Sequence, residues 1–256
     1  MDAVFGLIDP YYWVLALSIT LLAGFVKGAV GFAMPMIMIS GLGSFLSPEL
    51  ALAALIIPTV LSNVMQTLRG GLAEAWASMK RFRRYLAILL AVILLSAQLV
   101  SVLTPATMFL VVGIPITLIS LSQLLGWRPH IRPEIQKRTE AFVAVFAGII
   151  GGIAGVWGPP TTAYLTAIDT PKAEQIRVQG VIFGTGAVVL FFAHLKSGVL
   201  NALTLQFSMW MVVPAVIGMV IGFQFQDRLD QKKFRRLTLA VLVLAGLNLV
   251  RRGLFG

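Results

Sequence analysis

A glycine–proline pattern set inside an apolar run occurs twice in this chain. It reads AGFVKGAVGFAMP from Ala23 to Pro35 and AGIIGGIAGVWGP from Ala147 to Pro159. The pairs Ala23/Ala147, Gly24/Gly148, Gly28/Gly152, Gly31/Gly155 and Pro35/Pro159 share a single offset of 124 residues. Glycines four and three apart strip one helix face of side chains, so that a second backbone can pack closely against it. A proline lacks the N–H of the helical ladder and clashes with the preceding turn, so each run is expected to break as a helix there. Within hydrocarbon such a break is tolerated only where protein buries it or a cavity meets it. One copy reads as ordinary helix packing. Two copies in identical register point to a substrate site between two halves.

The membrane assignment rests on composition. The chain is 58% hydrophobic and only 12% charged, against about 25% charged for soluble domains. It is therefore expected to be an all-α polytopic membrane protein. A net charge of +10 could suggest a nucleic-acid partner, but the basic residues fall in short clusters between apolar runs, the pattern of cytoplasmic loops. No nucleic acid is expected as a partner; the lipid bilayer is. With no cysteine, disulfides and thiol chemistry are excluded. The run from Tyr12 onward lacks a basic lead-in and a small-residue cleavage site, so it reads as a retained span.

A helix crosses the hydrocarbon core with about 20 apolar residues. Runs near that length are Tyr11–Phe32, Glu49–Leu68, Tyr85–Leu103 and Ala106–Trp127, then Ala141–Trp157, Ala173–Leu195, Leu205–Phe225 and Phe234–Val250. Two shorter stretches, Met34–Leu46 and Thr161–Ile168, each follow a break and precede a proline, Pro48 or Pro171. They read as re-entrant segments. The expected plan is two repeats, residues 1–127 and 140–256, joined by a polar linker at 128–139, with about eight spans in all.

Charge placement leads to the expectation that the repeats are inverted, if basic loops stay cytoplasmic. Arg69, Lys80, Arg81, Arg83 and Arg84 follow the second span, while the matching place in half two holds only Lys196. After the third span the bias reverses: Thr104–Pro105 carries no charge, and half two has Arg228, Lys232, Lys233, Arg235 and Arg236. Equivalent loops then lie on opposite sides. The linker residues Arg128, Arg132, Lys137 and Arg138 complicate this, because eight complete crossings would separate them from the Arg228–Arg236 cluster. Some segment must fail to cross.

Ionisable residues deep in apolar runs are functional candidates. Lys27, between Gly24 and Gly28, is the clearest; snorkelling to the interface is its structural alternative. Glu174 and Arg177, three apart, share a helical face and read first as an ion pair with each other. Gln175 and Gln179 share a face and could bind a ligand or a neighbouring helix. Asn63 and Gln66 form a polar patch; Trp157 and Thr161 sit at the second break. His194 reads as an interfacial residue.

The physics favours an anion. A helix that resumes after a break exposes unpaired N–H groups and a positive dipole end. If the starts near Met34–Met36 and Thr161–Thr162 face one cavity, they supply donors for an oxyanion. Acidic residues are nearly missing from span interiors, which weighs against a cation carrier. There is no Walker loop, HExxH or GxSxG elbow, and only His130 and His194 could bind metal through imidazole; no enzyme, cofactor or metal site is expected.

At the twin AG-x3-G-x2-G-x3-P segments the sequence resembles the TauE/SafE family of sulfite exporters. The stretch Pro214–Gly218–Gly222, followed by Asp227, Arg228 and Phe234–Arg236, agrees with this. The resemblance implies a secondary transporter of the bacterial inner membrane, exporting sulfite or an organosulfonate such as sulfoacetate by alternating access. Substrate contact is expected from Lys27, Gly31, Pro35, Asn63, Gln66, Gly155, Trp157, Pro159, Thr161, Gln175, Arg177 and Gln179. A non-transporting scaffold or assembly factor and a cation-coupled importer of small organic anions are the competing readings. A small-xxx-small face could also join two copies as a homodimer.

Overall fold

The computed structural model describes residues 6–69, 71–127, 130–225 and 230–255. Arg128, Asp227 and Arg228, named above, lie outside the described residues. Within them are eleven α-helices and one 3-10 turn, with no strand. Helix α1 spans Pro10–Val30, α2 Met34–Leu42, α3 Pro48–Arg69, α4 Leu72–Arg81, α5 Arg83–Ser96 and α6 Pro105–Leu124. The second half contributes α7 Pro133–Ala154, α8 Gly158–Ala167, α9 Lys172–Ser197, α10 Ala202–Phe225 and α11 Gln231–Phe255.

Local chemistry sets the boundaries. Asp9 caps α1 by accepting the Tyr11 N–H at 2.8 Å, and Pro10 opens the helix where no N–H is needed. Gly31 ends it in the left-handed region, φ 83°, and its N–H donates to the Lys27 carbonyl at 2.7 Å. Helix α7 ends the same way at Gly155, φ 71°, whose N–H donates to Gly151 at 2.8 Å. The glycines, then, terminate the first helices. Pro35 and Pro159 stand in the first turn of α2 and α8, opening the next helix rather than breaking the last. This corrects the expectation that the prolines make the break.

Other boundaries also move. Helix α7 starts at Pro133, inside the stretch read as linker, because proline at its first turn presets a helical φ. The second short helix begins at Gly158, before Thr161. Helix α4 was not expected: its amphipathic pattern puts Leu72 and Trp76 outward and Ser78 inward. Among the described residues, seven helices are long and apolar enough to cross a membrane. Among the expected spans α7 falls short of that, since Glu134, Lys137, Arg138 and Glu140 occupy its early turns.

The two broken segments fold back on themselves. A Cβ on Gly41 in α2 would lie 2.7 Å from Ile19 of α1, and Phe45 stacks on Tyr12 at 5.1 Å. In the other segment the Ile131 N–H donates to Ala167 at 3.0 Å, and Tyr164 donates to Glu140 at 3.2 Å. Each segment therefore leaves the bundle at the end where it entered. That accounts for the charge conflict: the described residues Lys80, Arg81, Arg83, Arg84, Arg132, Lys137, Arg138, Arg177, Lys232, Lys233 and Arg236 gather at one end of the bundle. Lys196, Arg251 and Arg252 lie at the other, where Arg252 reaches the Leu46 carbonyl and Asn248 donates to Ser44.

Packing crosses between the halves. Helix α1 lies on α10 and α7 on α5, while α3 pairs with α9 and α6 with α11. The glycines permit the approach: a Cβ at Gly28 would sit 2.2 Å from the Met219 carbonyl oxygen, and one at Gly152 would sit 2.0 Å from Ser96 Oγ. Pro58 within α3 leaves the Ala54 carbonyl without its usual helical donor. Ser208 of α10 donates to it at 3.2 Å and accepts the Ile57 N–H at 3.1 Å. A gap in the buried helical ladder is thereby satisfied across the interface.

Candidate functional site

The two breaks meet at one small cavity. Phe32, Ala33, Pro35 and Met36 from the first and Gly155, Val156, Trp157, Gly158 and Pro159 from the second form most of its wall. Lys27 of α1, Asn63 of α3 and Phe183 of α9 complete it. About 20 Å³ is open to the centre of a water molecule, room for one small group.

Lys27 is held one helical turn before Gly31 and is 1% exposed. Its ammonium donates to Asn63 Oδ1. Asn63 in turn donates from Nδ2 to the Phe183 carbonyl at 3.2 Å, so its amide orientation is fixed by α9. Among the described residues no carboxylate lies within ion-pair distance of Lys27. A buried ammonium with only a neutral partner is costly, and a mobile anion would offset that cost. Snorkelling is excluded by its burial.

The backbone adds donors. The N–H groups of Phe32, Ala33 and Met36 in one break, and of Val156, Trp157 and Gly158 in the other, make no backbone hydrogen bond. All six belong to residues of the cavity wall. At the start of α8, Pro159 and Pro160 have no N–H to offer, and the Thr161 N–H is already taken by Trp157 O at 3.3 Å. The donors thus come from the connecting residues more than from the first helical turns.

Of the twelve residues expected to contact substrate, the structure brings Lys27, Pro35, Asn63, Gly155, Trp157 and Pro159 together on the wall. Gly31 and Gln66 lie beside them: a Cβ on Gly31 would stand 4.0 Å from Gln66 Nε2, and both amide atoms of Gln66 are buried without a partner. The remaining four sit outside the wall. Thr161 Oγ1 bonds Trp157 O at 2.7 Å and Tyr85 at 2.8 Å. Gln179 donates to Thr162 Oγ1 at 2.9 Å, and Gln175 to Thr166 Oγ1 at 3.2 Å, so both amides fasten α9 to α8. Arg177 pairs with Glu74 of α4 at 2.6 Å, and Glu174 with Arg81 of the same helix. The expected Glu174–Arg177 pair is absent among the described residues, because α4 offers each a closer partner. His194 is fully buried, bonded to Gly152 O at 2.9 Å and Ser197 at 3.0 Å, and is not interfacial.

Sequence reasoning missed Phe183, an ordinary apolar residue that gives no signal. It also missed Gly180 and Gly184, four apart in α9, where Thr67 of α3 closes in and donates to Gly180 O at 2.8 Å. That spacing was readable as a close-packing face.

The model of one protein family, sulfite exporter TauE/SafE, matches residues 16–249. No match was found among curated proteins, and none among solved structures.

Proposed function

The chain belongs to the TauE/SafE family of sulfite exporters, a family of membrane transporters, and we propose that its cargo is a small sulfur oxyanion bound between the two breaks. One observation carries this reading: Lys27 is a buried amine without a carboxylate partner among the described residues, on a wall where six residues have N–H groups with no backbone partner outside the helical ladders. Such a wall suits an anion and presents no carboxylate to a cation. The cavity's size favours a compact ion such as sulfite over an extended organosulfonate.

Transport by alternating access follows from the proposed architecture of two inverted repeats. Equivalent helices make equivalent cross-half contacts, α1 with α10 and α7 with α5, and the broken segments enter from opposite ends of the bundle. In this arrangement the cavity lies between the two halves, and rocking of one half against the other opens it to each face in turn. The basic end faces the cytoplasm of a bacterial inner membrane. Liposomes containing the purified chain and loaded with sulfite test the reading: sulfite efflux above protein-free liposomes is expected. Efflux equal to the control, with protein shown folded and inserted, would remove it.

A further inference from the structure

A second cavity lies away from the breaks, between α3, α5 and α9 and beneath α4. Its volume is about 380 Å³, and Leu68, Met79, Leu90, Val181, Val188 and Val189 give it an almost wholly apolar wall. Its two hydroxyls, Thr67 and Thr185, already donate to the Gly180 and Val181 carbonyls, so an oxyanion would find little to hold it there. Leu68 and Val188 are also exposed on the outer surface, so the cavity opens toward the hydrocarbon and not toward the central site. Along α9 the lining runs from Val181 to Val189, about 12 Å of helix. The slot therefore extends along the bundle, as an acyl chain does.

Its mouth lies at the basic end. Met79 of the lining is followed by Lys80, and Arg83 opens the next helix. Both basic residues are exposed, and neither makes an ion pair among the described residues. Lys80 lies 5.7 Å from the ring of Trp76, an exposed aromatic on the outer face of α4. Trp beside Lys is the pairing that settles at headgroup depth. By contrast, Arg81 and Arg177, with Glu74 and Glu174, are used up in tying α4 to α9. Two exposed cations without carboxylate partners among the described residues, close in sequence to the lining residue Met79, suit an anionic headgroup at the end of its chain.

We infer that this cavity is a binding site for one acyl chain of an anionic phospholipid, its headgroup held by Lys80 and Arg83 under the interfacial helix α4. The purified full chain in detergent, titrated with phosphatidylglycerol or phosphatidylcholine and weighed intact by native mass spectrometry, tests it. Phosphatidylglycerol is expected to remain bound more tightly. Lys80→Gln with Arg83→Gln should cost about fivefold in that affinity per charge and bring it toward phosphatidylcholine. Val188→Trp, which fills the slot, should abolish retention of both lipids. Equal retention of the two lipids by the unaltered chain, or undiminished phosphatidylglycerol on Val188→Trp, overturns the site. The unaltered chain gives a second measurement that needs no variant. Phosphatidylglycerol with a photoreactive group in its acyl chain should cross-link to residues 64–68 and 181–189; cross-links confined elsewhere overturn the proposal.

Discussion

The two breaks share a left-handed glycine, Gly31 and Gly155, but differ at the residue before the next helix, where Ala33 has φ 80° and Trp157 φ −101°, and they are opposite in side-chain size. In the first, Lys27 is large and the residue six positions on, Ala33, is small. In the second, the equivalent positions are Gly151 and Trp157. The packing shows why the sizes exchange: a Cβ on Gly151 would come within 2.9 Å of the Trp157 ring, and one on Gly186 within 3.0 Å. The indole fills the space beside its own helix, whereas the lysine leaves that space and crosses to Asn63. A duplicated scaffold thus carries an unduplicated charge. The lesson is that repetition supplies the shape of the cavity, and its departure from repetition supplies the chemistry.

The largest effect should come where the copies agree. Gly28→Ala and Gly152→Ala each drive a methyl group into contacts of 2.2 Å or less, with backbone atoms close behind. Separation of the helices should cost more than about 3 kcal/mol. Little folded protein is expected on size-exclusion chromatography for either variant; normal folding of one alone would show that the two interfaces are not equivalent.

Where the copies differ, the effect should fall on binding. Lys27→Met removes the buried charge while keeping most of its volume, so the unfolding midpoint should hold or rise. Stabilisation by added sulfite should weaken by roughly tenfold to a hundredfold in apparent affinity. A thermal-shift titration reads both quantities at once. Asn63→Asp sharpens the point, since it places a carboxylate on the Lys27 ammonium within an unchanged outline. The fold should survive, and the response to sulfite should vanish because the anion's place is taken. A retained response would separate Lys27 from the anion.

Trp157→Phe should have a smaller consequence. It enlarges the cavity beside Gly151 and Gly186, so sulfoacetate should gain stabilising effect relative to sulfite in the same titration. The smallest effect is expected for Arg177→Gln. Its pair with Glu74 is substantially exposed, and such pairs contribute about 1 kcal/mol or less. Sulfite affinity should stay within about twofold of the unaltered chain, in keeping with the residue's position outside the cavity.

Much of this was legible beforehand. The density of apolar residues dictated a helical membrane protein, since hydrocarbon leaves backbone groups no other partner. The repeated Gly-x3-Gly-x2-Gly spacing located both close-packed faces, because helical periodicity is a local property. It placed the breaks within a few residues but assigned them to Pro35 and Pro159, whereas Gly31 and Gly155 end the helices. Lys27 stood out for the same reason: a charge within an apolar run is visible without any fold.

What the tertiary structure alone decided depends on contacts between residues distant in the chain. That the breaks share one cavity, that Lys27 meets Asn63 and no carboxylate, and that α2 and α8 return to their starting ends are of this kind. So is the fate of Glu174 and Arg177, whose spacing allowed a pair with each other until α4 supplied other partners. Local spacing limits which groups can share a face. Which of them meet is chosen by the packing of whole helices, and that choice is a sum over interfaces that no single stretch of sequence contains.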